Sequence, residues 1–311
     1  MFKKETFIML SIALLFVISI LLNTFSNQQK QSLSLGSQQD NTSLFTGSKK
    51  GIAVIELYGP IAFSDTSTVL FPSGADLILK QIKLIKEDKN VKGILIKINS
   101  PGGTVGASQE IYQALLNCKE DLNIPIVAQI GDVGASGGYY IALAADKIFA
   151  NAGSLVGSIG VILGNINVRE LANDNGVYAQ VYTGGKYKDQ LSMWRDPTAE
   201  EKDLLGNLVD NVHGQFKKAL QENRAISDSD LEKVAEGQIF TGSLAQEVNL
   251  IDNIGSFQDA ISYIGSETGL GDDPHIISKS KNAFYDVASI LSMSIQNIFF
   301  KTQTEQLKVF Y

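Results

Sequence analysis

The chain has 311 residues, 44% of them hydrophobic and 19% charged, which suits one large folded domain with a sizeable core. A net charge of −7 without a basic stripe gives a nucleic-acid partner no electrostatic support. The lone cysteine, Cys118, excludes an intrachain disulfide framework. The two histidines, His213 and His275, lie at no ligand spacing such as HExxH, which argues against zinc and Ser-His-Asp chemistry.

Residues Phe7 to Leu22 form an uncharged run, FIMLSIALLFVISILL. With Thr6 and Asn23 to Phe25 it reaches the ~20 residues that span a bilayer. Lys3 and Lys4 precede it and favour a cytoplasmic N-terminus. A cleavable signal peptide competes with this reading, but LLNTFSNQQ lacks the small-x-small cleavage pattern. Residues 1–25 are therefore expected to be an uncleaved, single-pass cell-membrane anchor, with the catalytic part on the extracytoplasmic side. Residues 26–50, rich in Gln, Ser, Asn and Thr, cannot bury enough surface to order themselves and read as a polar tether.

The folded domain, expected over 51–271, opens with the β-branched stretch IAVIELYGPI. Helical periodicity follows in Ala75 to Glu87, then a strand in Val91 to Ile98, a helix in Ala107 to Cys118 and a strand in Ile124 to Ile130. A helix is predicted over Ser136 to Ala144, and strands over Lys147 to Ala150, Val156 to Leu163 and Ala179 to Tyr182. Further helices are predicted near Val168 to Asn173, over Ala199 to Asn223 and over Gly255 to Gly265. Such alternation predicts an α/β domain with largely parallel strands. Residues 272–311 form a tail of unassigned role, in which Ala283 to Phe300 could be an amphipathic helix packed on the domain, on another subunit or on the membrane surface.

Two glycine-rich turns follow two of these strands: Asn99-Ser100-Pro101-Gly102-Gly103 and Gly134-Ala135-Ser136-Gly137-Gly138. Loops at the C-terminal ends of strands are where α/β domains bind ligands. Glycine there lets backbone N–H groups approach a reacting carbonyl. Ser136 is the first candidate nucleophile, although a serine in a tight turn before a helix is also a common cap. Ser100 is a second candidate, with Pro101 beside it suggesting a turn-forming role. A serine needs a base, and with histidine disfavoured a lysine must be considered. An ordinary lysine titrates near ~10.4, and bringing it to ~7 costs about 4 kcal/mol, which an apolar pocket can impose. Composition does not say which lysine qualifies.

NSPGG together with GASGGYYIALAADKIFANAGSLVGSIGV resembles the signal peptide peptidase family in its short, single-domain form. TGGKYKDQLSMWRDPTAEEKDLL resembles the stretch of that family that carries the base, and EGQIFTGSLAQEVNLIDNIGSFQDAI its closing motif. The likeness runs from about Gly51 to Ile264. It implies a Clp protease/crotonase-like fold of repeated β-β-α units with an N-terminal transmembrane helix. It also implies a serine endopeptidase with a Ser-Lys dyad that degrades cleaved signal peptides and similar hydrophobic peptides. The family pattern GxxKD selects Lys188, not Lys186, as general base, Ser136 as nucleophile, and the amides of Gly103 and Gly137 as oxyanion hole. It implies no cofactor, and subunits that assemble into a homo-oligomeric ring in which serine and lysine can come from neighbours.

Two other readings stand beside it. A crotonase-type acyl-CoA enzyme shares the fold, but it usually employs a glutamate base, and no glutamate occupies the glycine turns. A scaffold derived from a protease would need Ser136 or Lys188 lost. There is no Walker A sequence, GSIGVILG lacks the context of a dinucleotide site, and Cys118 reads as a core residue.

Overall fold

The computed structural model describes residues 49–63, 74–224 and 226–277. The expected anchor, most of the tether and the segment 283–300 lie outside the described residues. Among the described residues no helix is long and apolar enough to cross a membrane.

Three parallel strands make the centre of the sheet: β1 (Gly51–Tyr58), β2 (Val91–Ser100) and β3 (Ile126–Ala135). They are joined by two helices, α1 (Ala75–Glu87) and α2 (Val105–Leu122). The strands read as nearly unbroken apolar runs because both faces of the sheet are covered. Alternation sorts the side chains. Ala53, Ile55, Ile94 and Ile96 enter the main core under α1 and α2, whereas Ile52, Leu95 and Val127 enter a second core on the opposite face. That second core is closed by Ala260, Ile261 and Ile264.

β3 is long and serves two partners in turn. Its first half, Val127 to Ile130, pairs with β4 (Lys147–Ala150), and its second half, Val133 to Ala135, pairs with β5 (Leu155–Gly157). Between the halves Gly131 and Asp132 carry no ladder partner, so the edge splits into two levels. A short helix, α3 (Gly137–Ala142), leaves the end of β3.

After β5 the chain departs from the sheet. The strand predicted to Leu163 ends at Gly157, and Ala179 to Tyr182 forms no strand. A strand requires a continuous hydrogen-bonding neighbour. Beyond Gly157 only two bonds continue the pairing, Ser158 N–H to Gln238 O at 2.6 Å and Gly237 N–H to Ile159 O at 3.0 Å, and no strand pairs with Ala179 to Tyr182 among the described residues. This excursion contains only the short helix α4 (Arg169–Asp174) and returns through α5 (Ala199–Asn223). A capping box starts α5: Glu201 N–H donates to Thr198, and the Glu201 carboxylate accepts from Thr198 N–H.

The remaining elements are α6 (Asp228–Val234), β6 (Ile239–Thr241), α7 (Gly242–Glu247), β7 (Asn253–Ile254), α8 (Phe257–Glu267) and β8 (Ile276–Ile277). β6 runs antiparallel to β5, β7 pairs in parallel with the end of β4, and β8, beyond Gly271, pairs with β1. The outcome is an α/β sheet, mixed through β6 and otherwise parallel, in the order β6-β5-β3-β2-β1-β8.

Candidate active site

The two glycine turns meet. Ile61 staples the first one: its N–H donates to Gly102 O at 2.9 Å, and its carbonyl accepts from Thr104 N–H at 2.8 Å. Ser100 is fully buried within that turn, its hydroxyl donating to Gly59 O at 2.6 Å and accepting from Gly102 N–H at 3.1 Å. Its hydroxyl is thus committed to shaping the turn, which leaves Ser136 as the available serine.

Ser136 sits between β3 and α3 at φ 50°, ψ −123°, a conformation that side chains rarely adopt. Its N–H donates to Gly157 O at 2.8 Å and its carbonyl accepts from Tyr140 N–H at 2.9 Å, so both sides of the strained residue are pinned. The hydroxyl is half-buried and faces a cavity of about 40 Å³. Gly103, Val105, Ser108, Gln109, Gly137, Tyr140, Gly160, Val161, Val212 and Phe216 line that cavity with it.

Gly103 and Gly137 face each other across it. A Cβ added to Gly137 would stand 3.2 Å from Gly103 N and 2.3 Å from Ser108 Oγ, and one added to Gly103 would collide with Ile61 O at 1.9 Å. Only glycine therefore permits this approach. Neither the Gly103 nor the Gly137 N–H has an acceptor among the described residues. Two unspent amides beside a serine hydroxyl are what an anion developing at an attacked carbonyl requires.

The apolar wall is built by helix docking. Tyr112, Tyr140 and Phe216 stack edge to face with centroids 5.0 and 4.9 Å apart, which ties α2, α3 and α5 together. Tyr139, fully buried on the far side of α3, donates to Leu250 O at 2.6 Å, and burial pushes its phenol up. The floor of the site is thereby locked to the core.

Lys188 is elsewhere. It lies exposed in a turn of the excursion between β5 and α5 and is not among the residues lining the cavity. The single chain thus gathers Ser136, Gly103 and Gly137 and leaves Lys188 apart from them. Lys186 is ion-paired with Glu200; its hydrogen bonds to Glu200 and then Tyr187 raise it above the ordinary lysine range, which keeps it protonated. The other candidates are structural. Cys118 is buried, and burial pushes its thiol up to about 11. His213 hydrogen-bonds Ala235 O at 2.7 Å, and His275 precedes β8; neither lines the cavity. Arg195, which the motifs passed over, binds both Asp189 and Glu201. Only the folded chain reveals it, because its partners lie six residues away on either side.

The profile of Peptidase family S49 matches residues 119–270, and that of Clp protease matches residues 70–154. A Synechocystis sp. protein named as a protease is 39% identical over 228 residues, 73% of this chain and 78% of the relative. An Enterococcus faecium protein named signal peptide peptidase SppA is 37% identical over 194 residues, 62% of this chain and 56% of the relative. The chloroplastic serine protease SPPA of Arabidopsis thaliana is 26% identical over 276 residues, covering 87% of this chain and 39% of that protein. The glycine turns and these matches agree: the chain belongs to peptidase family S49, the SppA family, and is a serine peptidase on a Clp protease-like α/β framework.

Proposed function

We propose that the protein is a membrane-anchored serine endopeptidase that hydrolyses hydrophobic peptides, signal-peptide remnants among them, with Ser136 as nucleophile and Lys188 as general base. One observation carries this reading: an unbonded serine hydroxyl, held in a strained turn, beside two glycine amides that have no other acceptor. The neutral amine of Lys188 takes the Ser136 proton as Oγ attacks the scissile carbonyl. The Gly103 and Gly137 amides hold the oxyanion. When the tetrahedral adduct collapses, the C–N bond breaks and the Lys188 ammonium returns its proton to the leaving amine. Water, deprotonated by the same lysine, then resolves the ester to acid and free serine.

Val105, Val161, Val212 and Phe216 give the cavity an apolar lining that favours an aliphatic side chain next to the cut bond. The excursion between β5 and α5 exposes Ile162 at 98% and Tyr182 at 90%, surface that suits burial against a neighbouring subunit. In such a homo-oligomeric ring a neighbour's Lys188 reaches Ser136. Residues 1–25 anchor the assembly to the cell membrane, with the peptidase part, 51–271, on the extracytoplasmic side and 26–50 as its tether. Lys186, tied to Glu200, is the weaker base candidate.

The test is hydrolysis of a hydrophobic fluorogenic peptide by the full chain in detergent, from about pH 6 to about pH 10. Ser136→Ala and Lys188→Ala are each expected to lose activity by roughly 10³-fold or more, with the wild-type rate rising on the alkaline side. Activity retained in Lys188→Ala would move the base elsewhere, and an assembled but inactive wild type would favour a scaffold role.

A further inference from the structure

The turn that carries Lys188 is fastened on both sides of it. Lys186 Nζ and Tyr187 Oη both bind the Glu200 carboxylate. Asp189 is gripped by Arg195, through Nε to Oδ2 at 2.8 Å and Nη2 to Oδ1 at 2.9 Å. The same guanidinium reaches Glu201 through Nη1 to Oε2 at 2.8 Å and Nη2 to Oε1 at 2.5 Å. It also donates to the Asp189 and Asp196 carbonyls at 3.2 and 3.0 Å, so every one of its N–H groups is engaged. Glu201 is in turn fixed by the capping box and is 2% exposed.

Within residues 186–189, three side chains are thus tied to the first turn of α5. Lys188 is the exception: its ammonium has no partner among the described residues, while its N–H is held by Gly185 O at 3.3 Å. α5 is itself seated on the cavity wall through Phe216, so one helix joins the wall beside Ser136 to the turn bearing the lysine.

We propose that Arg195, Glu201 and Glu200 form a clamp that presents Lys188 to the reacting serine, Arg195 being the principal positioning residue. This rests on Lys188 being the general base. Arginine is required because a planar fork can hold two carboxylates bidentately, which a lysine ammonium cannot. Misplacing a catalytic group by about 1 Å can cost on the order of 10²-fold in rate.

The experiment measures kcat and KM of the full chain in detergent on the fluorogenic peptide, for wild type, Arg195→Met, Arg195→Lys, Glu201→Gln and Lys188→Ala. Arg195→Met is expected to lower kcat roughly 10- to 100-fold with KM within about twofold, and Arg195→Lys to recover only a minor part of it. A kcat within about twofold of wild type in Arg195→Met, a loss carried by KM, or full recovery in Arg195→Lys would each overturn the clamp. Should Arg195→Met fail to assemble, Glu201→Gln decides. It keeps the shape and leaves Arg195 on Asp189, so a several-fold fall in kcat supports the clamp and an unchanged kcat overturns it. Lys188→Ala separates the two levels, because activity surviving there refutes the base assignment itself.

Discussion

Ser136 occupies a backbone conformation, φ 50° and ψ −123°, that glycine tolerates and residues with a side chain rarely adopt. Such strain costs about 1–3 kcal/mol and persists because the Gly157 and Tyr140 hydrogen bonds over-determine the turn. The strain should be separable from the chemistry. Ser136→Ala keeps the Cβ and hence the strain, whereas Ser136→Gly relieves it. Both variants should be inactive, but Ser136→Gly should be the more stable by about 1 kcal/mol in denaturant unfolding, even after glycine's entropic cost. Equal stability of the two would mean that the turn is relaxed in solution.

At the scale of elements, α5 has two jobs, lining the cavity and anchoring the Lys188 turn, and the second is pH-sensitive. The Arg195 guanidinium, followed by the Thr198 amide, holds the Glu201 carboxyl at about 2, against an ordinary value of 4.5. Arg195 likewise lowers Asp189. Because these folded-state values are depressed, their contribution to stability is fully present above pH 4.5 and is lost as the pH falls toward 2. The thermal midpoint of the wild type should therefore drop across that window more steeply than that of Glu201→Gln, which has no such proton to take up. Parallel slopes would show that Glu201 titrates normally and that the ion pair is not maintained.

For the molecule as a whole, the informative feature is what one chain leaves unfinished. The predicted strands within Val156 to Leu163 and Ala179 to Tyr182 find no ladder beyond Gly157, and the same excursion exposes Ile162 and Tyr182 while holding Lys188 away from the cavity. A second copy would satisfy all three at once: apolar cover, edge partners and a base. Mixing inactive Ser136→Ala subunits with inactive Lys188→Ala subunits should then restore part of the activity, since some sites would receive an intact serine from one chain and an intact lysine from its neighbour. Complementation that never rises above the separate variants, in assemblies shown to exchange subunits, would place both groups in one chain. Ile162→Glu should weaken assembly and activity together, as read by sedimentation and turnover.

Much of this was legible in the residues. Apolar periodicity alone placed α1 over Ala75 to Glu87 and α5 over Ala199 to Asn223, because a stripe repeating every 3.6 residues suits no other structure. The glycine turns announced themselves by composition, and the chain order of the family motifs pointed to Ser136 and Lys188. Sequence could not tell Ser100 from a nucleophile, because its role depends on Gly59 and Gly102 meeting its hydroxyl. Nor could it show Arg195 joining Asp189 and Glu201, or set Lys186 aside through Glu200, because ion pairing is a matter of where side chains converge. Local pattern is written along the chain, so the elements and the glycine turns could be read from it. Proximity across the fold is not, and the tertiary structure alone decided that Ser136, not Ser100, keeps a free hydroxyl, which amides are unspent, and that Lys186, not Lys188, is tied to Glu200.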